Sequence, residues 1–246
     1  MLTRPSRNPR TSPPRVVVVQ NSPSSDGGRL PDWLADEGIE ADVVAGADLP
    51  EHVTADGLVL LGGGFMPDDD ERAPFLPRER TLTREAMTAG VPVLGICLGA
   101  QLLALVAGGE VTAQSGETER GSCPVDLLPA ADADPLFAAL TGYDELRMIQ
   151  NHKDSITTLP PDAVHLATSA SCRVQAFRVG TASWGVQFHP EMEGTRVAGW
   201  DESKLVAEGF DRAAMIAKAT ADTDINTAQA RALVGAFAGV VREACR

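Results

Sequence analysis

Cys97 stands in the heptapeptide Gly95-Ile96-Cys97-Leu98-Gly99-Ala100-Gln101. An apolar run, VPVL, leads into it, and a helix-like run, QLLALV, leads away. A strand that ends at a cysteine and turns at once into a helix is a nucleophile elbow, with the side chain raised on a tight turn above the sheet. Small neighbours are needed where such a turn brings two backbones together. The free N–H groups and dipole at the helix start favour negative charge there, and the amide of Leu98 points where an oxyanion would form. A second stretch, WGVQFHPEM, puts His189 two residues before Glu191. A thiol nucleophile needs a base and a group that orients the base. Residues i and i+2 of an extended strand share a face, so His189 and Glu191 are expected to project together with Pro190 turned away. A carboxylate beside the imidazole fixes its tautomer and stabilises the imidazolium.

Each pattern alone also describes something ordinary, a buried cysteine in a glycine-rich turn or a surface His-Pro-Glu turn. Together they supply nucleophile, base and orienter. Their order separates them from rivals with the same elbow. In α/β-hydrolases the acid precedes the histidine; here it follows by two positions. Protease and deglycase relatives with this elbow carry a histidine directly after the cysteine, where this chain has Leu98.

The elements that must position these groups are readable from periodicity. VVVVQ after Arg15, DGLVLLGGG and VPVLGIC read as buried strands, and IEADVVAG as strand-like. RLPDWLADEG, PRERTLTREAMTAG and LGAQLLALVAGG read as the helices between them, the first two closing at Gly38 and Gly90. Strands alternating with helices imply a parallel sheet covered on both faces. Beyond Gly109 come short strand candidates: EVTAQS, CPVDLLP, ELRMIQNH, AVHLATSA, CRVQAFRVG and SWGVQFHPE. Two helical segments, DESKLVAEGFDRAAMIAKA and NTAQARALVGAFAGVVREA, close the chain. The reading is one α/β domain over residues 15–246 with an antiparallel excursion in its second half. The first 14 residues, basic and rich in Pro and Ser, read as a disordered tail and not a secretory signal, for they lack an apolar core.

GICLGAQ, the strand running into Gly62-Gly63-Gly64, and WGVQFHPE together resemble the class I, triad-type glutamine amidotransferases, in particular the stand-alone, GMP-synthase-like members. The resemblance spans about residues 15–245 and implies a three-layer α/β/α, flavodoxin-like domain with a mostly parallel central sheet. It implies that Cys97 attacks a glutamine side-chain amide to give a γ-glutamyl thioester and ammonia. His189 would shuttle the proton, Glu191 would orient it, and the amides of Gly63 and Leu98 would form the oxyanion hole. Gln101, one turn after the nucleophile, would help bind glutamine. Asn151, His152 and Lys153, in IQNHKDS, would belong to the loop that holds the substrate's amino-acid end. Two departures stand out. Many relatives have Gly-Gly-Pro where this chain has three glycines, and Gly-Asp where it has Lys153-Asp154.

Three functions fit this chemistry. One is a glutaminase that passes ammonia to a synthase; these 246 residues leave no room for an acceptor or ATP-binding domain, so the synthase is expected on another chain. The second is a free-standing γ-glutamyl hydrolase acting on a γ-glutamylated amine or peptide. The third is a non-catalytic binding or regulatory protein on the same fold, which a complete triad disfavours. The formal charge of −13 argues against nucleic-acid and anionic-membrane partners, which attract basic patches. No apolar run approaches the ~20 residues of a membrane span. The four cysteines, 97, 123, 172 and 245, are scattered and form no CxxC, which points to a cytoplasmic chain with reduced thiols and no zinc site. Cys123 and Cys172 read as ordinary thiols, His52 and His165 as structural, and Asp68 to Asp70 as a solvated loop. No metal, nucleotide or other cofactor is expected, and the oligomeric state stays open.

Overall fold

The computed structural model describes residues 12–246, so residues 1–11 of the expected tail lie outside the described residues. The described elements are, in chain order, β1 (Arg15–Gln20), α1 (Leu30–Asp36), β2 (Glu40–Ala45), β3 (Gly57–Leu60), α2 (Leu76–Ala89), β4 (Val93–Ile96) and α3 (Leu98–Val106). Then follow β5 (Glu110–Thr112), β6 (Glu119–Leu127), β7 (Leu146–His152), β8 (Ser155–Thr158), β9 (Val164–Thr168), β10 (Ala176–Val179) and β11 (Ser183–Val186). Helices α4 (Glu202–Ala207), α5 (Arg212–Ala221) and α6 (Thr223–Ala244) close the chain.

The central sheet runs β2-β1-β3-β4-β11-β10-β9-β6-β7. Its first five strands pair in parallel, through β1–β2, β1–β3, β3–β4 and β4–β11. The remainder, β10, β9, β6 and β7, is antiparallel. This is the expected α/β architecture, with its parallel core and antiparallel part. Strand β11 enters the parallel core from the far end of the chain and lies beside β4, with Val186 opposite Ile96. That pairing places the segment after β11 next to the segment after β4.

The VVVV run of β1 shows why the sheet is covered twice. Alternate side chains leave a strand on opposite faces. Val16 and Val18 pack with Trp33 and Leu34 of α1 and with Leu233, Val234 and Phe237 of α6. Val17 and Val19 pack with Leu76 and Ala86 of α2 and Leu102 of α3. None of the described helices is long and apolar enough to cross a membrane.

Two expectations need correction. The segment DESKLVAEGFDRAAMIAKA is two helices. Gly209, at φ 85°, stops the first, and Asp211 caps the second by accepting from the Ala214 N–H. Strand β8 was not foreseen, because SITT is four residues with little apolar content; its pairing with β5 makes it a strand.

Candidate active site

Cys97 sits between β4 and α3 with φ 52° and ψ −108°. A positive φ is rare for a residue with a side chain and is held only where the surroundings determine it. Here its N–H donates to the Val186 carbonyl of β11 at 2.8 Å, and its carbonyl accepts the first helical bond from Gln101 N–H at 3.0 Å. The flanking glycines have a steric reason. A Cβ on Gly95 would stand 2.5 Å from the Gly99 carbonyl oxygen, and one on Gly99 would stand 2.1 Å from the Leu60 carbonyl oxygen. Helix α3 therefore starts directly against β4 and β3, which only glycine permits at both positions.

Three segments converge on the thiol. A Cβ built at Gly62 would lie 3.6 Å from Cys97 Cβ and 3.1 Å from His189 Cε1. Gly63 and Gly64 line the same cleft as Cys97 and His189. Leu98 opens α3, where the first N–H groups have no acceptor within the helix.

His189 and Glu191 are paired, with Nδ1 2.7 Å from Oε1, and both are buried. The route differs from the expected one. Strand β11 ends at Val186, and residues 189–192 form a reverse turn closed by the Met192 N–H donating to the His189 carbonyl at 3.3 Å. Pro190 occupies the second turn position, which suits its fixed φ. The turn, rather than strand alternation, brings the two side chains together. The His189 N–H donates to the Ile149 carbonyl of β7 at 2.8 Å. Its other ring nitrogen, Nε2, is buried and makes no hydrogen bond. Burial alone would push the His189 imidazolium toward neutrality. The charge of Glu191 and the neighbouring Cys97 outweigh it and hold His189 well above the ordinary histidine value.

Gln101 is buried on the inner side of this centre. Its Nε2 donates to the Asp154 carbonyl at 2.9 Å and to Gln187 Oε1 at 3.3 Å, and Gln187 Nε2 in turn donates to Cys97 Sγ at 3.6 Å. The structure thus places Gln101 as a tie between the thiol and the 151–155 loop. Gln187 was not anticipated, although it stands two residues before His189. Of the loop residues, Asn151 lines the cleft, Lys153 is exposed, and His152 turns into the core, with Nε2 3.3 Å from Glu119 Oε2.

The cleft has a volume of about 830 Å³. Beyond the thiol it is walled by Ser22, Ser24 and Ser25 of the β1–α1 loop and by Trp200, Asp201 and Lys204 at the start of α4. Arg196 and Asp26 pair at 2.6 Å, joining these two walls, and the guanidinium holds Asp26 below the usual carboxylate range. None of these walls carries a local pattern that marks it as part of a site.

A second group of chemically capable residues lies away from the cleft. Ligand atoms of Glu119, His152 and Cys172 lie within 4.8 Å of one another, all buried. Glu119 Oε1 accepts from Ser169 Oγ at 2.9 Å, and Oε2 accepts from Gln175 Nε2. The Cys172 thiol donates to the Val174 carbonyl at 3.6 Å, and burial pushes its pKa far up. Positions 119, 152 and 172 share no motif, so only the fold assembles them. Of the other histidines, His52 is exposed beside Glu85, and His165 packs its Nε2 against the carbonyls of Ala167 and Arg173.

Comparison with known proteins agrees with this geometry. The family model described as glutamine amidotransferase class-I matches residues 32–199. The chain is 38% identical to the glutamine-hydrolyzing GMP synthase subunit from Haloarcula marismortui over 72% of its length and 83% of that protein. It is 35% identical to the corresponding subunit from Natronomonas pharaonis over 74% of its length and 90% of that protein. Among solved structures, a glutamine amidotransferase from Thermotoga maritima superposes with a TM-score of 0.79 at 27% identity, covering 91% of this chain and 97% of the other. One from Methylobacillus flagellatus gives 0.76 at 29% identity, covering 95% and 96%. With the family model spanning more than half the chain and a fold shared nearly end to end, this protein belongs to the class I glutamine amidotransferase family.

Proposed function

We propose that this chain hydrolyses the side-chain amide of glutamine through a Cys97 thioester and delivers the ammonia to a separate synthase subunit. The observation that carries this is the elbow: Cys97, at φ 52° on the start of α3, beside an imidazole whose far nitrogen is held 2.7 Å from Glu191. In this mechanism the thiolate sulfur attacks the amide carbon. The resulting oxyanion accepts from the N–H groups of Leu98 and Gly63, and one such donor is worth about 3 kcal/mol in related chemistry. The C–N bond then breaks as His189 hands a proton to the leaving nitrogen, releasing ammonia and leaving the γ-glutamyl thioester. Water attacks the thioester as His189 takes its proton, and the C–S bond breaks to release glutamate and return the Cys97 thiolate beside the His189 imidazolium. Glu191 orients the imidazole and stabilises the imidazolium in both halves. Asn151, which lines the cleft, would meet the substrate's amino-acid end.

Delivery to a separate chain is supported by the relatives' names. They are glutamine-hydrolyzing subunits of GMP synthase, and the chain matches 83% and 90% of two of them. The test is ammonia release from glutamine by the purified protein, first by itself and then with the synthase chain of its own organism. Acceleration on mixing is the expected result. An unchanged rate would remove the partner.

The cleft favours one further reading. Its volume lies in the range that holds a drug-sized ligand, and Trp200 and Asp201 stand in its wall, so there is room for a leaving group larger than ammonia. A free-standing γ-glutamyl hydrolase would show a higher kcat/KM for a γ-glutamylated amine than for glutamine with no partner present. Equal or lower values dispose of it.

A further inference from the structure

Glu191 has to be held as firmly as it holds His189, and the turn that carries it is short. The residues that grip this turn come from the start of α1, more than 160 positions earlier. Arg29 is buried, 9% exposed, and its guanidinium lies 4.5 Å over the Trp33 ring. Its backbone N–H donates to the Glu191 carbonyl at 3.0 Å. Its Nη2 donates to the Pro190 carbonyl at 3.1 Å and the Met192 carbonyl at 3.0 Å, and also reaches Asn226 Oδ1 at 3.1 Å. Nη1 donates to Thr227 Oγ1 at 2.9 Å. One residue thus takes all three consecutive carbonyls of 190–192. Gly28, at φ 50°, lets the approach happen: a Cβ there would stand 2.1 Å from the Glu191 carbonyl oxygen. Asn226, on α6, also donates to the Arg147 carbonyl of β7 at 3.0 Å, so the guanidinium is itself anchored to the sheet.

We propose that Arg29 is a positioning residue for the reaction: by gripping the carbonyls of Pro190, Glu191 and Met192 it fixes the turn that aims the Glu191 carboxylate at His189. Arginine suits this because its planar fork is pre-organised and always charged, whereas an ammonium is a compact point charge that cannot span the same acceptors. The cost of retaining it is visible, since its Nε is buried without a partner.

This inference rests on the proposed roles of His189 and Glu191, so the experiment measures Arg29→Lys beside Glu191→Gln on the full chain. Arg29→Lys keeps the positive charge and removes the fork. Displacing a catalytic group by about 1 Å costs on the order of 100-fold in rate. The expected result is therefore a fall in kcat for glutamine of about 30- to 100-fold, with KM within about threefold. The ring resonance of His189, followed by NMR, should titrate at lower pH than in the parent, because a loosened Glu191 no longer supports the imidazolium. A purely structural role would lower the melting temperature without moving that titration. Asn226→Ala, which leaves Arg29 in place but unanchors it, should show the same pattern at a smaller size of about threefold to tenfold. It serves as the readout if Arg29→Lys does not fold. An Arg29→Lys or, in that case, Asn226→Ala protein with parental kcat overturns the proposal, as does a reduced kcat with an unmoved His189 titration. Failure of the underlying reading looks different: Glu191→Gln would then keep full activity.

Discussion

Among the described residues, two Cys/His/Glu groups stand out, and of these two the first opens on a cleft. Cys97, His189 and Glu191 stand just after β4 and β11; Glu119 begins β6, His152 ends β7 opposite it, and Cys172 lies between β9 and β10. The residue types are the same, so composition cannot explain the difference. In the first group the cysteine heads a helix in a strained conformation, and the carboxylate is bound to the far side of its imidazole while the near nitrogen stays unbonded. In the second, the carboxylate is already committed to Ser169 and Gln175, and the thiol is spent on the Val174 carbonyl. The first arrangement leaves His189 Nε2 without a partner in a residue that lines the cleft. The second commits its carboxylate and thiol to protein, as buried polar groups normally do, and leaves His152 Nδ1 without a partner.

The largest effect should separate the two cysteines. Cys97→Ser is expected to lower glutamine hydrolysis by several orders of magnitude, while Cys172→Ser keeps the rate within about threefold. A glutamine-like electrophile such as diazo-oxo-norleucine should mark Cys97 alone in a peptide map. Comparable labelling of Cys172 would erase the distinction.

The acids should divide next. Glu191→Gln keeps the size of the side chain but removes the charge that supports the imidazolium, and kcat should drop about 100-fold or more. Glu119→Ala should instead cost about 2 kcal/mol in urea unfolding, because Ser169, Gln175 and His152 lose their shared acceptor. If Glu119→Ala lost activity at full stability, the second group would have a catalytic share.

A third buried acid gives the limiting case. Glu79 is fully buried, accepts from Asn21 Nδ2 at 3.1 Å, and has its Oε2 without a partner. Burial is the main cause that raises its pKa to about 7. A folded-state value above the unfolded one means stability is fully present below about pH 4.5 and is lost as pH rises through 7. The difference amounts to about 3 kcal/mol. Denaturation between about pH 5 and pH 8 should show the parent losing stability relative to Glu79→Gln, which carries no such titration. Parallel curves would mean that Glu79 ionises freely in the fold.

The smallest expected effect is that of a chelator. Glu119, His152 and Cys172 could in principle share a soft divalent ion, but the carboxylate's protein donors already fill that role. Treatment with EDTA should leave both the melting temperature and the rate unchanged. A drop restored by zinc would turn the second group into a metal site.

What the sequence alone determined about this protein is what neighbouring residues decide. The elbow is legible because strand, cysteine, glycines and helix are contiguous, and the reason for Gly95 is a contact with Gly99 four residues on, whereas the reason for Gly99 is the Leu60 carbonyl of β3. The β/α alternation follows from periodicity for the same reason. His189 and Glu191 are readable as a pair since they stand two positions apart, although a turn and not a strand joins them. The tertiary structure decided everything that depends on sheet order. Cys97 meets His189 because β11 adds to β4 across some 90 positions, and that choice depends on packing over the whole sheet. Arg29 reaches Pro190 from 161 residues away, Gln101 reaches Asp154 across 53, and Glu119 gathers its partners from β7 and the segment before β10. Such contacts leave no local spacing to read. A side chain's type says what it can bond, and only the fold says whether that bond is still available.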